Sequence, residues 1–183
     1  MKDKIGIVHG RFQLLHNEHL NYILAGKAQC EQIIIGICNP DSTTTKYNEI
    51  DPHRSQKDSN PFTYYERYQM IHYALLESGV SQADFSIVPF PIDCPELLCN
   101  YVPQEATHYL TIYDAWGINK KRVLEGYGYH VKVLWQCDLS EKKISGTDIR
   151  QLICDGKEWQ QFVPATVYNY IIKHHLDFKI KRS

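Results

Sequence analysis

Two histidines three residues apart, His16 and His19, follow a glycine and an arginine in the stretch Gly10-Arg11-Phe12-Gln13-Leu14-Leu15-His16-Asn17-Glu18-His19-Leu20. Before it, Lys4-Ile5-Gly6-Ile7-Val8 is apolar and β-rich; after it, residues 19–27 carry Leu20, Ile23 and Leu24 at helical spacing. The stretch reads as a turn from a strand into a helix. Residues three apart near a helix start share a face. Unpaired N–H groups and a partial positive charge at that end suit phosphate. Gly10 lets the backbone approach a ligand where a Cβ would clash, and Arg11 adds donors. The pattern predicts a cradle for nucleotide phosphates. Paired histidines also occur as ordinary surface or core residues, and zinc would need further ligands at a spacing the neighbourhood lacks. The strand, the glycine turn and the helix start are what give the pair meaning.

A second stretch with chemistry in it is Lys142-Lys143-Ile144-Ser145-Gly146-Thr147-Asp148-Ile149-Arg150. Ser145 and Asp148 form a capping-box pattern, which by itself predicts only a well-capped helix. Arg150 lies one turn in, on the same side as Gly146 and Thr147. Backbone amides, two hydroxyls and a guanidinium could converge there on phosphate oxygens, where arginine gives bidentate contacts. Two such helix starts facing each other across a sheet edge would hold a triphosphate along its length.

The elements between the two stretches must bring them together. Ile33-Ile34-Ile35-Gly36-Ile37 has the continuous apolar character of a strand buried on both faces. Further strands are expected at 85–88, 108–112 and 129–134. Helices are expected at 63–78, 118–125 and 145–154 and from Pro164 to about 172, with a short one from Pro95. Alternation of this kind predicts an α/β fold, a doubly wound parallel sheet of about five strands flanked by helices. Ligands in such sheets bind beyond the carboxyl ends of the strands. That points to segments 9–19, 38–62, 89–99, 113–117 and 135–147. The polar stretch around 40–58 reads as an insertion, whether a lid, a binding loop or a disordered insert; its His53, Arg54 and Lys57 could reach an anionic acceptor, though such a stretch is more often a solvated surface loop.

At 183 residues the chain is expected to form a single domain, 1–183. A net charge of −1 gives no reason to expect nucleic-acid or anionic-membrane partners. The six cysteines, at 30, 38, 94, 99, 137 and 154, contain no C-x-x-C pair and read as small buried residues in a reducing compartment. With no signal core or spanning run the expectation is cytoplasmic. The basic tail of Lys179, Lys181 and Arg182 reads as a solvated end. A homo-oligomer is left open.

Taken together, GRFQ-x-x-H-x-x-H and ISGTDIR resemble the nucleotidyltransferase superfamily with an H-x-G-H motif, and most of all the archaeal-type nicotinamide mononucleotide adenylyltransferases. The resemblance extends to Asn60-Pro61-Phe62-Thr63 with Glu66-Arg67, to Val88-Pro89, and to Trp159 with Val163-Pro164. It covers nearly the whole chain outside 40–58 and the last residues. It implies a Rossmann-like fold. Gly10, Arg11, Phe12 and Gln13 match the family's glycine turn, and His16 and His19 its phosphate-binding histidines. Ser145, Gly146, Thr147 and Arg150 match its triphosphate signature. Mg²⁺ would be carried on the triphosphate, with no protein ligand of its own.

Departures bear on the acceptor. Leu14 stands where proline is usual, Glu18 where glycine is usual, and Ser59 where a basic residue is usual, a charge that Arg54 or Lys57 would replace. Glu18 could point to solvent in the first helical turn, where its charge suits the dipole, or face the phosphates and repel them. Glu96-Leu97-Leu98-Cys99 replaces the family's Asn-Ala-Leu-Trp, whose Trp stacks on the pyridine ring, and Ile112-Tyr113-Asp114 replaces its Ser/Thr-Gly-Asn. Tyr113 or Trp116 could stack instead, and Phe62, Arg67, Tyr113, Asp114 and Trp116 are the residues expected at the acceptor.

The implied reaction moves AMP from ATP onto nicotinamide or nicotinate mononucleotide, with His16, His19 and Arg150 as catalytic groups. A CTP-dependent transfer to a small phosphate or phosphonate is the sibling alternative, and a non-catalytic nucleotide-binding module a second. Lys143-Ile144-Ser145 with H-x-x-H also suggests a class I aminoacyl-tRNA synthetase, but the chain is short for an anticodon-binding domain and lacks the charge for tRNA.

Overall fold

The computed structural model describes residues 2–41, 60–136 and 144–181. Five strands, β1 (Asp3–Gly10), β2 (Cys30–Cys38), β3 (Phe85–Phe90), β4 (Thr107–Ile112) and β5 (His130–Gln136), form one parallel sheet in the order β3-β2-β1-β4-β5. The helices are α1 (Asn17–Gln29), α2 (Tyr64–Glu77), α3 (Ala115–Gly126), α4 (Gly146–Cys154), α5 (Ala165–Lys173) and α6 (Asp177–Lys181). This is the expected Rossmann-like fold. Local chemistry starts the helices where expected: Thr63 and Glu66 form a capping box at α2, and Ser145 and Asp148 one at α4. Pro89 is tolerated in β3 because that strand is an edge.

Apolar side chains divide between the two faces of the sheet. On one, Val8, Ile33 and Ile35 meet Ile23 of α1, Met70 and Ile71 of α2, and Ile149 and Ile153 of α4. On the other, Ile7, Phe90 and Leu110 meet Leu124 of α3. The layers change sides between β1 and β4, so the switch point lies at the carboxyl ends of those two strands. Among the described residues, no helix is long and apolar enough to cross a membrane.

At that switch point the strands part. β1 and β4 pair at Gly6–Thr107 and Ile7–His108 and no further. At the next rung of a parallel ladder the His9 amide would donate to the Tyr109 carbonyl. Instead the hydroxyl of Tyr22, from α1, sits between them. It donates to Tyr109 O at 2.6 Å and accepts from His9 N at 3.4 Å. Burial pushes the phenol pKa well up, so it remains a hydroxyl. Tyr22→Phe should therefore leave two buried backbone groups unpaired and destabilise the fold by about 1–3 kcal/mol, read as a lower urea midpoint at unchanged slope. An unchanged midpoint would mean that the hydroxyl does not bridge the strands.

Three expectations need correction. The basic tail is not simply a solvated end: α6 buries Ile180, just after buried Leu176 and four residues from it, while Lys179 reaches Glu66 Oε1 at 2.5 Å. Read by its charges alone, the tail hides those two apolar anchors. Of the cysteines, Cys30 and Cys38 are buried, but Cys94 is half-buried and Cys99 and Cys154 are exposed. All five are free thiols, and Cys137 lies outside the described residues, as does nearly all of the stretch 40–58. Lastly, α3 starts three residues before the expected 118 because Asp114 caps it, accepting from Gly117 N at 2.8 Å.

Candidate active site

A cavity of about 260 Å³ opens over the fork between β1 and β4. Both sequence motifs line it: Gly10, Arg11, Phe12, Gln13, His16 and His19 from the first, and Ser145, Gly146, Thr147 and Arg150 from the second. The join between them is direct. Arg150 donates through Nη1 to the Gln13 carbonyl and through Nη2 to Thr147 Oγ1 at 3.1 Å. A Cβ on Gly146 would lie 3.2 Å from that same carbonyl, so a side chain there would force the two loops apart. The rings of His16 and His19 stack with centroids 3.7 Å apart, and Phe12 supports His19 edge-on at 5.2 Å. Unlike Thr63 and Ser145, His16 makes no side-chain capping bond at the start of its helix, which suits a helix end kept for an anion.

Within the first motif the division of labour differs from the expectation. A Cβ on Gly10 would lie 3.0 Å from the Phe12 ring, so the glycine makes room for a buried aromatic while itself lining the cavity. Phe12 itself has φ of 51°, a strained conformation for a bulky residue and one that keeps its ring under the histidines. Gln13 is buried and clasps the backbone of Phe62, donating to its carbonyl at 3.0 Å and accepting from its amide at 2.9 Å. Phe62, expected at the acceptor, is core. Arg67, expected there too, is buried, and its guanidinium donates to the carbonyls of Thr63, Arg11, Cys38 and Asn39. It holds the glycine turn and the end of β2 together.

On the opposite side of the sheet the cavity meets His9 and, from α3, Lys120. His9 stacks on Phe90 with centroids 4.5 Å apart, and His108 lies edge-on to it at 6.3 Å. Both rings are buried, and among the described residues none of their nitrogens has a hydrogen-bond partner. Burial holds His108 down to about 4, and burial followed by the Lys120 charge depresses His9 as well. Both are neutral at pH 7. As pH falls from about 6.5 toward 4, the unfolded chain takes up protons that the folded chain refuses, so stability complete above 6.5 is lost over that window. His108 alone should remove about 2 kcal/mol between pH 6.5 and 5. Urea unfolding of the native chain and of His108→Phe checks this; equal losses in both would contradict it.

Residues 7–152 match the family described as cytidylyltransferase-like. The chain belongs to this family. The nucleotidyltransferase is 41% identical over 176 residues to a phosphonoformate cytidylyltransferase of Streptomyces viridochromogenes, covering 96% of this chain and 95% of the relative. It is 26% identical to a nicotinamide-nucleotide adenylyltransferase of Thermococcus kodakarensis, over 92% of this chain and 82% of the relative. In fold it is similar to a bifunctional NMN adenylyltransferase/ADP ribose pyrophosphatase of Francisella tularensis, with a TM-score of 0.68 at 18% identity; all of this chain is covered, but only 52% of that one. The chain thus spans about half the length of that protein.

Of the residues the nucleotidyltransferase was expected to place at its acceptor, Tyr113 lines the cavity. Asp114 is committed to its capping bond, and Trp116 stands outside the lining. The tryptophan on the wall is Trp135, which donates from Nε1 to the Tyr113 hydroxyl at 2.7 Å. A bulge puts it there: Leu110 pairs with Val133, but Thr111 pairs with Trp135, so Trp135 turns to the α1 side, edge-on to Tyr22 at 6.3 Å. Ending the fifth strand at 134 misses it by one residue. Glu18 also lines the cavity rather than pointing only to solvent. Its charge is set against Arg11, Lys120 and Arg150 in the same walls. Lys120, in the second turn of α3, carried no signal in the sequence beyond being a lysine after the fourth strand.

Proposed function

We propose that this nucleotidyltransferase moves CMP from CTP onto a small phosphonate or phosphate and releases pyrophosphate. The reading rests on the 41% identity to a phosphonoformate cytidylyltransferase over nearly the full length of both chains. An oxygen of the acceptor attacks the α-phosphorus; a new P–O bond forms as the bond to the bridging α–β oxygen breaks, and that electron pair leaves with pyrophosphate. The nucleophile is already ionised at neutral pH, so no general base is needed. Alignment and charge neutralisation do the work. His16 and His19 serve the α- and β-phosphates, Arg150 and Thr147 the departing pyrophosphate, and Arg11 the phosphates or the acceptor. The triphosphate enters as its Mg²⁺ complex, the metal belonging to the substrate.

Adenylyl transfer from ATP to a pyridine mononucleotide is the second reading, favoured by relatives of that activity at 26–28% identity. A pyrophosphate-release screen separates the two, with each of four nucleoside triphosphates offered phosphonoformate, nicotinamide mononucleotide and nicotinate mononucleotide. CTP with phosphonoformate is expected to give the signal. ATP with a mononucleotide giving it instead would replace this reading with the second. Triphosphate binding without turnover of any acceptor would leave a nucleotide-binding module.

A further inference from the structure

We infer that Lys120 recognises a second acidic group on the acceptor, making the substrate class a phosphorus acid that carries another anionic group. The inference rests on the nucleotidyl-transfer reading and adds to it the residue that sorts acceptors. The two faces of the sheet contribute different groups to one cavity. His16 and His19 come from the turn into α1, and Thr147 and Arg150 from α4, whose apolar sides share one layer with each other. Lys120 comes from α3, in the layer across the sheet. Among the described residues it is the lining cation on that side. A triphosphate held by the first set therefore leaves an acceptor, lying over the parted strands, between its α-phosphorus and Lys120.

The surroundings of Lys120 favour an anion. Beside it on the cavity wall lies the buried ring of His9, and among the described residues the lining carries Arg11, Lys120 and Arg150 against the single carboxylate of Glu18. The field of Lys120 reaches His9, whose protonation it opposes. The cavity is walled on this side by Tyr22 and by the hydrogen-bonded pair Tyr113 and Trp135.

Calorimetric titration tests this apart from turnover, using the full chain with phosphonoformate and with methylphosphonate, which keeps the phosphonate and lacks the second acid. The native protein should bind phosphonoformate at least tenfold more tightly than methylphosphonate. Lys120→Met should abolish that preference, and Lys120→Arg should retain most of it. No preference in the native protein, binding of neither compound, or a preference that survives Lys120→Met would each overturn the inference. A failure of the transfer reading shows separately, as absence of pyrophosphate release with every pairing of triphosphate and acceptor, while the binding comparison stays readable.

Discussion

His19→Ala should lower turnover by about 10²–10³-fold, the loss typical of removing one preorganised donor to charge that develops in a transition state. His19 is the cleaner of the two histidines to test. It is partly exposed, and its ring lies against those of His16 and Phe12 at 3.7 and 5.2 Å, contacts whose loss leaves the core intact. His16 is buried and begins α1, so a change there mixes folding with chemistry. Steady-state pyrophosphate release measures the effect, with thermal unfolding as the control for structure. Turnover within threefold of the native value, at an unchanged melting temperature, would remove His19 from the mechanism.

Arg67→Leu should cost about 3–5 kcal/mol of stability, the largest single-site loss expected in the molecule. Its guanidinium meets five backbone carbonyls, at 3.2 Å (Thr63), 2.9 Å (Arg11), 2.7 Å (Cys38), 2.7 Å (Asn39) and 3.5 Å (Pro40). Burial lowers its pKa to about 10, which leaves it charged at neutral pH. Without it, five oxygens from three separate segments lose a common donor. Lysine should rescue little, because a point charge with three donors cannot reproduce the planar fork. Since Arg11 belongs to the glycine turn, both variants should also lose activity in proportion to the disorder they cause there. Urea unfolding of Arg67→Lys and Arg67→Leu decides the matter: a lysine variant within about 1 kcal/mol of native would show that the fork is not what joins these segments.

How much of this could be read from residues alone depended on the range of the signal. The alternation of apolar runs with helical patterns is local, and it led to the five parallel strands and their flanking helices. So are the capping boxes, Thr63 with Glu66 and Ser145 with Asp148, which start α2 and α4 where expected. The convergence of residues 10–19 with 145–150 was legible because both ends carry phosphate-binding chemistry that makes sense only together. What escaped depends on partners far along the chain. Gln13 looked like part of a ligand turn, yet its amide is satisfied by the backbone of Phe62, 49 residues away. Arg67, part of the stretch that resembles the family, was expected at the acceptor; its carbonyl partners at 11 and 38–40 lie 27 to 56 residues away in the sequence, beyond any spacing rule. Trp135 needed a one-residue bulge to turn it toward the cavity, and a bulge leaves no mark in a period-two pattern until the partner strand is known. Tyr22 carried no signal among the helical residues Leu20, Ile23 and Leu24, and its role as a wedge follows only from the strand order.

The central claim is that the two ends of the chain hold one triphosphate and hand its α-phosphorus to an acceptor. Incubation with CTP radiolabelled at the α-phosphorus, together with phosphonoformate, tests it most directly. The label is predicted to move into a new product joined to the acceptor, with unlabelled pyrophosphate released in equal amount and both signals lost in His19→Ala. Label that stays on CTP, or appears as free CMP whether or not the acceptor is present, would contradict it.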